Sequence, residues 1–71
     1  MEITIICSLE QRQEAKRILA QLNAAIQQEY ITPEGIVMDA LTSPERAIAL
    51  LCQYSGKASY CEPVDTLTLR L

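Results

Sequence analysis

Thr66-Leu67-Thr68-Leu69-Arg70-Leu71 alternates polar and apolar residues without a break. A period of two puts Leu67, Leu69 and Leu71 on one side of an extended chain and Thr66, Thr68 and Arg70 on the other. One side is then packed and the other wet, the habit of an antiparallel sheet. A strand of this kind needs a layer to lie against, so the residues before it must supply one.

The opening of the chain has the same period. Ile3, Ile5 and Cys7 alternate with Glu2, Thr4 and Ile6, and β-branched residues dominate, which predicts a strand with one face in the core. Ile6 implies partial cover on the second face. Ser8-Leu9-Glu10-Gln11 then fits a helix start in which the Gln11 side chain reaches back to Ser8, with Glu10 and Glu14 at the favourable end of the helix dipole. From Leu9 to about Glu29, Ala15, Ile18, Leu19, Leu22, Ala25 and Ile26 recur at three and four, predicting one long amphipathic helix.

Tyr30-Ile31-Thr32 reads as a short extended segment. Pro33 and Gly35 suit the second and fourth places of a type I turn over Thr32–Gly35, and a strand follows from Ile36 to about Leu41 with Ile36, Met38 and Ala40 on one face. A second helix begins at Thr42-Ser43-Pro44-Glu45, capped either by Ser43 with Pro44 in the first position or by Thr42 paired with Glu45. Ala47, Ile48, Leu50, Leu51, Cys52 and Tyr54 make it the more buried helix, and Gly56 is placed as its left-handed terminating residue. Ala58 to Cys61 is a weak strand. Pro63 donates no hydrogen bond to a ladder, so the last strand is either bulged there or split into a short hairpin.

The order β-α-β-β-α-β predicts a single α+β domain over residues 1–71: a two-layer sandwich of ferredoxin-like type, with an antiparallel sheet and both helices on one face. If residues 30–32 are loop, the order becomes β-α-β-α-β-β, a small mixed sheet.

Composition narrows the function classes. The chain has 71 residues, 49% of them hydrophobic, with three Tyr as the only aromatics, so Ile, Leu, Val, Met and Ala must build the core. A net charge of −3 and only six basic residues argue against a general nucleic-acid binder, which needs clustered Lys and Arg. The longest apolar run, Ala47–Cys52, is far short of the ~20 residues that span a bilayer. With no basic leader ahead of Glu2, a cytoplasmic location and no membrane association are expected. Three cysteines at wide spacing are no disulfide framework. Cys7 and Cys52 read as buried hydrophobes and Cys61 as the exposed thiol, with a Cys52–Cys61 bridge within reach of the spacing.

Candidate chemistry is sparse. The chain has no histidine and no Cys-x-x-Cys pair, and its only glycines, Gly35 and Gly56, are too few for a phosphate-binding loop. No catalytic residue, metal or cofactor is therefore expected. Among the carboxylates, Asp39 lies on the strand face opposite Met38 and reads as edge-exposed, with burial beside Asp65 or Lys57 as the alternative. Ferredoxin-like domains that bind RNA resemble one another in sheet-surface aromatics, and this chain has no Phe. Those that carry copper look alike in a Cys-x-x-Cys loop, absent here. Amino-acid-sensing domains tend to have a glycine turn after the first strand, where Cys7-Ser8-Leu9 has none.

The features left are surfaces. Arg12, Lys16 and Arg17 form a basic patch on the first helix, partly neutralised by Glu14. Tyr30 and Tyr60 flank loops and suit a contact surface, whereas Tyr54 is placed with the buried residues of the second helix. Thr66, Leu67, Thr68, Leu69 and Arg70 form a regular strand without a proline or lysine guard, and are expected to be an edge that pairs with a second copy. The expectation is a small non-enzymatic interaction or regulatory accessory module, homodimeric and binding another protein. The alternatives are a metabolite-binding regulatory domain and, behind it, a small enzyme subunit using Asp39, Lys57, Cys61 or a tyrosine hydroxyl.

Overall fold

Strand β1 (Glu2–Cys7) forms where the β-branched alternation predicts it, with Ile3, Ile5 and Cys7 buried. A computed structural model describes residues 1–71. After β1, Leu9–Gln11 make a single 3-10 turn whose start is held by Gln11, the side-chain Oε1 of which accepts the Ser8 backbone N–H at 3.0 Å. Helix α1 (Arg12–Gln21) follows and buries Ala15, Ile18 and Leu19.

The helix ends eight residues before Glu29. Asn23 adopts a left-handed conformation with φ 52, and two reversed hydrogen bonds close the helix: Asn23 N–H to the Ala20 carbonyl at 3.0 Å, and Ala24 N–H to the Leu19 carbonyl at 2.9 Å. This is the Schellman arrangement with asparagine in the place more often held by glycine. The apolar positions Ala25 and Ile26 happen to extend the helical spacing, but they belong to β2 (Ala25–Thr32). The extended segment expected at residues 30–32 is thus the end of an eight-residue strand, interrupted by a bulge between Ile26 and Gln28.

Pro33-Glu34 make the expected tight turn into β3 (Gly35–Leu41), which buries Ile36, Met38 and Ala40. Gly35 has φ +146, and a β-carbon there would collide with the carbonyl of Cys7. Helix α2 (Pro44–Gln53) starts with Ser43 as cap, its oxygen accepting the Arg46 N–H at 3.4 Å, and Pro44 in the first turn. Thr42 is engaged elsewhere, donating to the Leu22 carbonyl at 3.0 Å.

Three expectations about α2 are corrected. Its buried residues are Ala47 and Leu50, fewer than α1 contributes. Ile48 is 56% exposed and Cys52 is exposed too, one helical turn apart on a flank turned away from Ala47 and Leu50. Tyr54 is only half-buried, and Gly56 is not left-handed: the N–H groups of Lys57 and Ala58 both turn back to the Tyr54 carbonyl.

The last strand is split, as the second option at Pro63 foresees. β4 (Ala58–Cys61) leads into a 3-10 turn over Glu62–Val64, Asp65 reverses the chain with φ 49, and β5 (Thr66–Arg70) returns. The sheet has five strands in the order β2-β3-β1-β5-β4. β1 pairs antiparallel with β3 but parallel with β5, with Ile3 opposite Leu67 and Ile5 opposite Leu69. The sheet is therefore mixed, as the alternative order expected, although residues 30–32 belong to a strand that the alternative omits, and the ferredoxin-like strand order is not matched. The physical reason lies in what alternation records. It reports one covered face, and a parallel neighbour satisfies it as well as an antiparallel one wherever helices cover one face only.

All thirteen buried residues are apolar and form one cluster drawn from α1, α2, β1, β3 and β5. Both helices thus share the sheet face that carries Ile3, Ile5, Met38 and Leu69. The other face is open, with Thr4, Ile6, Val37, Asp39 and Thr68 half-buried. No helix is long and apolar enough to cross a membrane.

Candidate functional site

The basic patch on α1 is not free. Arg12 donates through Nε to Glu29 Oε2 at 2.6 Å, Lys16 lies 3.5 Å from Glu29 Oε1, and Arg17 stands 3.9 Å from Glu14. Glu29 points from β2 toward the helical side, a charge turned inward at the edge of the sheet. The Arg12 hydrogen bond holds the Glu29 carboxyl below its ordinary range, and the same bond raises the guanidinium of Arg12. The thiol of Cys7 is pushed up, first by burial and then by the charge of Glu29. Glu29 escapes a reading of the sequence that carries the helix through it; Asn23 is the signal that would have released it.

The edge expected at Thr66, Leu67, Thr68, Leu69 and Arg70 is closed. β5 lies between β1 and β4 and hydrogen-bonds to both, so it offers no ladder to a second chain. The open edges are β2 and β4. Their chemistry differs. β4 spans four residues and runs into the Pro63 turn, whereas β2 spans eight, with Tyr30 46% and Ile31 74% exposed.

Tyr30 and Tyr60 are both accessible but far apart. Tyr30 faces the open side opposite Val37, and Tyr60 faces the helical side opposite Leu67, on the other edge strand. Four strand spacings separate them, about 19 Å. The Tyr60 hydroxyl donates to Asp65 Oδ1 at 2.6 Å, and that bond, followed by desolvation, raises its pKa.

Two depressions mark the surface. One, of about 350 Å³ on the open face, is lined by Glu2, Gln27, Gln28, Asp39 and Leu41. Asp39 there is half-buried and accepts the Thr4 hydroxyl at 2.8 Å, a partner other than Lys57. The second, of about 360 Å³, is an apolar groove between α2 and the β4–β5 hairpin, with Met1, Ile48, Leu51 and Leu67 on its walls and Tyr60 and Asp65 at its mouth.

Of the groups named for a catalytic alternative, Tyr60 and Cys61 share β4 with Lys57 just before it, and Asp39 lies apart from them. Asp39 on β3 and Cys61 on β4 are three strand spacings apart, about 14 Å. No three His, Cys, Asp or Glu side chains gather in a geometry fit for a metal ion. Cys7 is buried, as expected, whereas Cys52 and Cys61 are both exposed, and all three are free thiols. What the arrangement offers chemically is main-chain donors and acceptors along β2, an apolar groove, and charged rims. Comparison of the chain with protein-family models, curated proteins and solved structures finds no match.

Proposed function

We propose that the chain is a small non-enzymatic interaction module that works as a homodimer, two copies joined edge to edge through β2, with surface left over for another protein. The observation that supports this reading is the free edge at Ala25–Thr32, eight residues whose outer N–H and C=O groups have no strand beside them. Unpaired edges of this length recruit a further strand. Only Glu29 is charged along it, and that charge is taken by Arg12 and Lys16, so two copies meet little repulsion there.

The other edge limits growth. β4 is half as long and ends in a turn containing Pro63, which suits a closed pair better than an open filament. Three free thiols support a cytoplasmic setting, where cysteines stay reduced.

Sedimentation equilibrium tests the proposal. The expected mass is twice the 7.9 kDa chain, falling to one chain in Ile31→Lys, which places a guard on the edge at a residue that folding does not bury. A monomer at high micromolar concentration overturns the reading. The metabolite-binding alternative draws on the acidic depression at Glu2 and Asp39. It requires a thermal shift with small cationic metabolites, which the interaction module does not produce.

A further inference from the structure

The groove beside α2 is apolar inside and acidic at its rim. Met1, Leu51 and Leu67 line it, and Ile48 leaves more than half its surface in solvent beside them. Asp65 stands at the mouth, bonded to the Tyr60 hydroxyl, and Glu62 lies in the 3-10 turn that leads into it. Glu45 precedes Ile48 by one helical turn and shares its flank of α2, whereas Arg46 falls on the opposite flank. The Met1 ammonium at the groove is already engaged, donating to the Thr42 carbonyl at 2.8 Å. The positive end of α2 is offset by its Ser43 cap and by Glu45 in the first turn.

We propose that this groove receives a basic amphipathic segment of a partner protein, its apolar side chain beside Ile48 and its Lys or Arg against Asp65, Glu62 and Glu45. A volume of about 360 Å³ is at the small end for ligand sites and suits a short anchor. A second copy is a poor occupant. The basic residues of α1 are engaged by Glu29 and Glu14, and the remaining cations, Arg46, Lys57 and Arg70, form no basic stripe along one helix. The site is independent of pairing at β2, which lies on the opposite edge of the sheet.

The probe is a fluorescent amphipathic leucine–lysine peptide, with a leucine–glutamate peptide of equal length as control, followed by anisotropy at low and high salt. The leucine–lysine peptide binds and the control does not. Combining Asp65→Asn with Glu62→Gln weakens binding about tenfold and flattens its salt dependence. Asn tolerates the left-handed backbone at residue 65, so this variant keeps its fold, as a thermal melt verifies. Ile48→Ser weakens binding as well, and Ile31→Lys leaves it unchanged. Absence of binding, equal binding of the acidic peptide, or indifference to these groove substitutions overturns the proposal. So does a loss of dimer in Ile48→Ser, because the groove would then be the seam between copies. A monomeric protein that still binds the peptide sinks the pairing at β2 alone.

Discussion

Arg12 on α1 and Glu29 on β2, seventeen residues apart in the chain, are joined by a 2.6 Å hydrogen bond between guanidinium and carboxylate, with Lys16 at 3.5 Å from the second oxygen. The pair ties the helix to the sheet's free edge. It also neutralises the only charge on that edge, which bears directly on whether two copies can approach.

Acid should erase the contribution of this pair. Its carboxyl is held below the ordinary value, so the stabilisation is complete above that value and is lost as pH falls through the folded one. At neutral pH Glu29→Gln melts below the parent, and the gap closes in acid. High salt narrows it too, since the partners are partly exposed. A gap that persists unchanged in acid would remove the ion pair as its cause.

The two glycines should respond oppositely to alanine. Gly35 has φ +146 and abuts the Cys7 carbonyl, so Gly35→Ala costs at least ~2 kcal/mol in urea unfolding. Gly56 has open space around it and an ordinary backbone, and Gly56→Ala stays within about 0.5 kcal/mol of the parent. A large loss at Gly56 would contradict the helix ending drawn from the Tyr54 carbonyl.

Asn23 holds the left-handed residue that stops α1. Asn23→Gly is expected to be neutral or slightly stabilising, and Asn23→Val to destabilise by roughly 1–2 kcal/mol, because a β-branched side chain resists that backbone. Chemical denaturation of both variants measures it. If valine is tolerated, the helix does not end there.

Alkylation separates the thiols. Cys52 and Cys61 are exposed and react in native buffer, whereas Cys7 is buried, its thiol pushed up by desolvation and then by Glu29. Intact-mass measurement should find two adducts on the folded protein and a third only in denaturant. Its raised value also means that stability, full below the ordinary thiol pKa, declines as alkaline pH passes through the folded one. Rapid native labelling of Cys7 would refute its burial.

Much of the local structure is legible in the sequence. The alternation at Ile3, Ile5 and Cys7 and at Leu67 and Leu69 identified the core faces of two strands, and Pro33 and Gly35 located a turn. Ser43 and Pro44 located a helix start. Leu22, Ala25 and Ile26 misled, because a stripe at helical spacing continued across the asparagine that breaks it. The charged cluster is half visible in the sequence: Arg12 and Lys16 stand out on α1, whereas their partner Glu29 continues the helical spacing and yet lies on a strand.

By itself the sequence determined which faces of β1, β3 and β5 leave water, since their apolar alternation is local. Tertiary structure alone decided which strands meet. β5 entered between β4 and β1, parallel to β1, and left β2 on the outside. Strand pairing joins residues dozens apart in the chain, and the ladder accepts either direction so long as the same face stays covered. An edge, and with it the surface open to a partner, is therefore a property of the assembled sheet.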